Sequence, residues 1–135
     1  MATSRPRNAR ACRLLLVEDC PELAENLTDV LELEGHRVVL RTTAEGALEA
    51  LSHESFDGIL TDLRLPGMSG LDLIRWVRRD DQALPIVLMT AFAAREQRAE
   101  AERDRSLAVL SKPVDPKHLI ALVAGLPRRG HASVP

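Results

Sequence analysis

Five short apolar runs, each separated from the next by a stretch with helical character, constrain the fold of this chain more than any other feature. The runs are Arg13–Val17, His36–Leu40, Gly58–Asp62, Pro85–Thr90 and Leu107–Ser111. A continuous apolar run of four to six residues suits a strand buried on both faces, as in a parallel sheet. Pro21 fits the first position of a helix, and Gly35 fits just past its end. Between them Leu23, Leu27, Val30 and Leu31 recur at helical spacing. Thr43 can cap a helix with Ala47, Leu48 and Leu51 on one face, although Gly46 is unfavourable inside it. The loop Leu63–Gly70 holds two turn signals, Pro66-Gly67 and Ser69-Gly70, ahead of a helix with Leu71, Ile74 and Val77 inward. Ala93–Arg105 is charged and helical in composition, and Asp115-Pro116 opens a last helix with Leu119, Ile120, Leu122 and Val123. Strands alternating with helices predict an α/β, doubly wound, five-stranded parallel sheet with helices on both faces.

At 135 residues, with 45% apolar residues, the chain can bury one core without disulfides or a structural metal. Aromatics are only 2%, so Leu, Val, Ile and Ala must fill that core. Cys12 and Cys20 show no metal-ligand pattern and are expected as reduced thiols. His36, His53, His118 and His131 also lack ligand spacing and are read as surface residues. Trp76 is read as packing, and Arg75, Arg78 and Arg79 as a solvated helix face, with a partner contact as the alternative. No apolar run nears the roughly 20 residues of a membrane helix, and the polar, Arg-rich start is no signal peptide. Residues 1–11 are expected as a disordered leader, 12–126 as the domain and 127–135 as a disordered tail, in a cytoplasmic protein. A net charge of −2, from 18 basic and 20 acidic residues, gives no electrostatic case for nucleic-acid binding.

Chemistry concentrates where the strands end. The first ends in Glu18-Asp19, the third in Asp62, the fourth in Thr90, and the fifth runs into Lys112. In a doubly wound sheet the carboxyl ends of the strands form one edge, and ligands bind there. Three carboxylates gathered at that edge repel one another unless a cation relieves them. All-oxygen donors favour Mg2+, with Mn2+ as the alternative. A nucleophilic carboxylate, a metal site, a hydroxyl and an ammonium are the parts for phosphoryl transfer onto a carboxylate. Of the 18 basic residues only Lys112 and Lys117 are lysines, so a compact ammonium at this edge departs from the chain's preference for Arg.

The segments Leu16-Val-Glu-Asp19, Leu60-Thr-Asp-Leu-Arg-Leu-Pro-Gly-Met-Ser-Gly70, Leu88-Met-Thr-Ala91 and Ser111-Lys-Pro113 resemble the four signature segments of response-regulator receiver domains, the chemotaxis-regulator-like modules of two-component signalling. They occur in the family's order, and the resemblance covers roughly residues 12–126. It implies the flavodoxin-like strand order 2-1-3-4-5, for which a receiver is already a standard example. It makes Asp62 the phosphoacceptor from a kinase phosphohistidine. It makes Glu18, Asp19, Asp62 and the backbone carbonyl of Arg64 the Mg2+ ligands, Glu18 through water. Thr90 and Lys112 match the residues that meet the phosphoryl group, and Pro113 follows Lys112 through a cis peptide bond. The implied partners are a sensor histidine kinase or phosphotransfer protein and a downstream protein or output domain. Monomer or weak dimer is expected, with no membrane and no direct nucleic-acid contact, since nothing after residue 126 could form a helix-turn-helix. A non-enzyme is implied, catalysing only its own phosphorylation and dephosphorylation.

Two departures from the family stand out. Most receivers carry Tyr or Phe where this chain has Val109, so the usual aromatic rotation is missing and Phe92 is the candidate to replace it. Arg95–Arg105 is strongly charged and lacks the usual glycine before the fifth strand. Two other functions compete. One is a dehalogenase-type phosphatase, which the absence of a DxDx[TV] motif on the first strand and of a cap domain disfavours. The other is a degenerate receiver that binds partners without phosphorylation, which Val109 keeps open.

Overall fold

A computed structural model describes residues 11–91, 99 and 102–127. The expected leader and tail lie outside the described residues apart from Ala11 and Pro127, as do Phe92 and most of Arg95–Arg105. The strands are β1 (Arg13–Val17), β2 (Arg37–Arg41), β3 (Gly58–Asp62), β4 (Ile86–Thr90) and β5 (Leu107–Ser111). They form one parallel sheet in the order β2-β1-β3-β4-β5, as expected. Four helices lie wholly among the described residues: α1 (Pro21–Leu33), α2 (Ala44–His53), α3 (Gly70–Asp80) and α4 (Pro116–Ala124). None of the described helices is long and apolar enough to cross a membrane.

Side chains alternate across a strand, so each central strand feeds two cores. Leu15 and Val17 of β1 face one layer with Ile59 and Leu88, closed by Ala47 and Ala50 of α2 and Leu73, Ile74 and Val77 of α3. Leu14 and Leu16 face the other with Leu60, Val87 and Met89, closed by Leu27 and Leu31 of α1 and Leu119 and Val123 of α4. Each fully buried Leu or Val contributes about 1.5–3 kcal/mol, and here these residues take the place of aromatics. β2 is an edge strand and only half-buried, which is why its apolar run is the shortest.

The helix starts follow from local chemistry. Pro21 opens α1, where its missing N–H costs nothing. Thr43 Oγ1 accepts from Gly46 N at 3.0 Å and caps α2. Ser69 and Asp72 form a reciprocal capping box at α3. Asp115 accepts from Lys117 N ahead of α4. Gly35 takes φ 94 past the end of α1, the left-handed turn that favours glycine.

Three side-chain expectations are corrected. His36 is buried, not on the surface: its Nδ1 accepts from Cys12 N at 3.0 Å, and β2 begins one residue later, at Arg37. Arg78 is no part of a solvated face. Its Nε donates to Asp104 at 2.7 Å, and its Nη1 donates to the carbonyls of Asp81 and Leu84, tying α3 to the turns before β4 and β5. Trp76, read as packing, is 49% exposed on α3, with the Arg79 guanidinium 4.7 Å from its ring.

Candidate active site

The loops leaving β1, β3 and β5 open at the same edge of the sheet. Pairing of β1 with β3 sets Val17 opposite Thr61, so Glu18 and Asp62 come out side by side. Pairing of β3 with β4 sets Asp62 opposite Met89, and Lys112 N donates to Thr90 O at 2.8 Å just beyond the β4–β5 pairing. The edge therefore gathers all five residues that the strand ends pointed to. Oxygens of Glu18, Asp19 and Asp62 lie within 4.8 Å of one another. Lys112 Nζ stands 2.9 Å from Asp62 Oδ2 and 3.5 Å from Glu18 Oε1. Glu18 and Asp62 are buried at 1% and 7% exposure, while Asp19 is exposed. Thr90 is buried at the end of β4.

Burial pushes the Glu18 carboxyl above its ordinary pKa. A hydrogen bond from Cys20 N opposes that shift, Asp62 adds to it, and Lys112 opposes it. Burial pulls the Lys112 ammonium down, but its hydrogen bond to Asp62 and the charges of Glu18 and Asp62 outweigh burial, and the net shift is upward. Lys112 is thus held firmly cationic against two carboxylates. Three carboxylates against one ammonium leave an excess of negative charge at this edge, where Asp19 is exposed. Oxygen donors of this kind and number suit a hard divalent cation.

Two features of the loop after Asp62 were not legible in the sequence. Gly67 takes φ 76. Gly70 passes so close to the backbone of Asp62 that a Cβ there would lie 2.1 Å from Asp62 O, while its own N donates to Leu63 O at 2.8 Å. Gly70 is a packing requirement that holds the Asp62 backbone, where the sequence suggests only a turn; a glycine eight residues past a strand-end acid is too common to signal it. Arg64 lies within this loop, exposed, two residues past Asp62. The Lys112–Pro113 peptide is cis, as the resemblance implied. Val109 is half-buried on β5 opposite Leu88 and packs with the α2–α3 core.

The model of the response regulator receiver domain matches residues 14–124. The response regulator protein FleR of Pseudomonas aeruginosa is 40% identical over 114 residues, which cover 84% of this chain and 24% of FleR. The chain thus spans about a quarter of that relative's length. Among solved structures, the non-phosphorylated HemR receiver domain from Leptospira biflexa aligns with a TM-score of 0.78 at 31% identity, over 86% of this chain and 96% of that one. The receiver domain of the sensor histidine kinase PA1611 from Pseudomonas aeruginosa PAO1, solved with a magnesium ion coordinated in its active-site cleft, aligns with a TM-score of 0.74 at 28% identity, over 84% and 94% of the two chains.

Proposed function

Because the chain belongs to the response regulator receiver domain family, we propose that it accepts a phosphoryl group on Asp62 from the phosphohistidine of a sensor histidine kinase or phosphotransfer protein in the cytoplasm. What supports this reading is the meeting of Asp62 with Lys112 at 2.9 Å inside a cluster of three carboxylates at the carboxyl edge of the sheet. An Asp62 carboxylate oxygen attacks phosphorus, a P–O bond forms, the P–N bond to the imidazole breaks, and the imidazole leaves with the electron pair and takes up a proton.

Each neighbour has a task that its chemistry fits. Lys112, cationic and hydrogen-bonded to Asp62, orients that carboxylate and then offers its ammonium to a phosphoryl oxygen. Thr90 supplies a hydroxyl from the adjoining strand end. Glu18, Asp19 and Asp62, with the carbonyl of Arg64, would hold Mg2+ at this edge. When bound, that cation neutralises charge between the carboxylates and the incoming phosphoryl oxygens. The product changes the affinity of residues 12–126 for a downstream protein or output domain.

The reading is tested by incubating the protein with Mg2+ and acetyl phosphate and recording the intact mass. A gain of one phosphoryl group is expected, absent without Mg2+ and absent in Asp62→Ala. A phosphorylation-independent binding module is the alternative, and Val109 in the place of an aromatic is the observation in its favour. It predicts no gain and no Mg2+ binding.

A further inference from the structure

Trp76 is the chain's one tryptophan, and it stands half-exposed on the ridge of α3 between two grooves. The groove toward α2, of about 610 Å³, has an apolar floor that includes Leu48, Leu51 and Phe56, and Asp80 and Asp81 at its α3 side. The groove on the other flank, of about 580 Å³, is lined by Met68, Arg75 and Arg79, with Asp72. Trp76 lines both. Tryptophan and arginine are among the residues most enriched at the energetic centres of protein interfaces, and here the two are stacked on one exposed ridge. The flanks differ in sign, acidic toward α2 and basic away from it. A partner of one charge would suit one flank and be repelled by the other. A second copy would suit both, because a two-fold axis running along α3 exchanges the flanks and sets the acidic side of each copy against the basic side of the other.

We propose that the Trp76 ridge of α3 is a self-association face, with two copies packed α3 on α3, Trp76 at the centre, and Asp80 of each copy opposite Arg79 of the other. The side chains are ready for this. The local ion pair of Arg75 with Asp72, 3.5 Å apart and well exposed, is cheap to rearrange. Trp76 and the apolar groove floors supply the area that association removes from water. The face is separate from the carboxylates at the sheet edge, so this inference does not depend on the phosphoacceptor reading.

Sedimentation equilibrium of the full chain from about 1 µM to about 1 mM, with tryptophan emission recorded on the same samples, tests it. The weight-average mass should rise toward two copies, and the emission should move to shorter wavelength over the same range as Trp76 is buried. Arg79→Glu sets two acids opposite each other and should weaken the dimer by about tenfold or more. Adding Asp80→Arg to it restores opposite signs and should bring the affinity back to within about threefold of the parent, which a merely misfolded variant would not do. A chain that stays monomeric throughout would overturn the proposal and leave the ridge to a partner of another sequence. A dimer indifferent to Trp76→Ala and Arg79→Glu, or a double variant no tighter than Arg79→Glu alone, would overturn it equally.

Discussion

Adding one methyl group at Gly70 should damage the site from a position that carries no chemistry. A Cβ built there lies 2.1 Å from Asp62 O, 3.0 Å from Asp62 C and 3.1 Å from Leu63 Cα. All three are backbone atoms of a central strand and its exit, so no side chain can swing away. Relief to ordinary contact needs a shift of more than about 1 Å, either of α3, whose capping box and Leu73, Ile74 and Val77 are anchored, or of Asp62 itself. Overpacking typically costs about 1–3 kcal/mol, and a clash of backbone on backbone belongs at or above the upper end. Gly70→Ala is therefore expected to lose about 3 kcal/mol. With a urea slope of about 1.5 kcal/mol per molar, the midpoint should fall by about 2 M. The folded fraction should also label poorly with acetyl phosphate, because the Asp62 backbone has moved relative to Lys112. Gly125→Ala is the control. Its nearest atoms would lie at 3.7 Å, ordinary contact, so a change within about 1 kcal/mol is expected. A Gly70→Ala protein as stable as the parent and labelled as fast would refute the steric reasoning.

Other perturbations separate stability from site chemistry. Glu18→Gln removes a buried charge while keeping an acceptor for Cys20 N, so the metal-free protein should gain about 1 kcal/mol in thermal melts and lose most of the stabilisation that added Mg2+ gives the parent. Arg78→Ala strands Asp104 and two carbonyls and should cost about 2–4 kcal/mol in urea, whereas Asp104→Asn, which keeps acceptors for Arg78 and Ser106, should cost about half as much. His36 is buried, and burial holds its pKa below the ordinary value of about 6.5, against the smaller opposing pull of Glu34 and Asp57. The unfolded chain then binds the proton more readily. The contribution is complete above about pH 6.5 and is lost as pH falls from there through the folded pKa. The drop in melting temperature on going from pH 7.5 to about 5.5 should be smaller in His36→Gln than in the parent.

The alternation of strands and helices and the carboxylate edge were legible because both follow from local signals, whereas the strand order 2-1-3-4-5 was implied by the resemblance to receiver domains. An apolar run marks a buried strand, and the residue at its end is carried to the carboxyl edge by topology alone. Asp62, Glu18 and Lys112 meet there although Glu18 and Lys112 are 94 residues apart. What stayed illegible depends on pairs that no local pattern links. His36 reads as a surface residue at the start of the second strand run, and only the approach of Cys12 N, 24 residues away, makes it a buried acceptor. Arg78 looks solvated beside Arg75 and Arg79 until Asp104, 26 residues on, closes over it. Trp76 errs in the opposite sense. A lone tryptophan at helical spacing reads as core, yet Leu73, Ile74 and Val77 already fill the inward face of α3. Phe92, the candidate to replace the aromatic missing at Val109, lies outside the described residues.

Asp62 as the single acceptor carboxylate is the core of the proposed function. Reducing the acetyl-phosphate-treated protein with borohydride converts an aspartyl phosphate to homoserine, and peptide mapping then reports its position. Homoserine is expected at position 62 and nowhere else, dependent on Mg2+ and lost in Lys112→Ala to a large extent. Homoserine at position 19 or 57, or a full mass gain with none at 62, would contradict it.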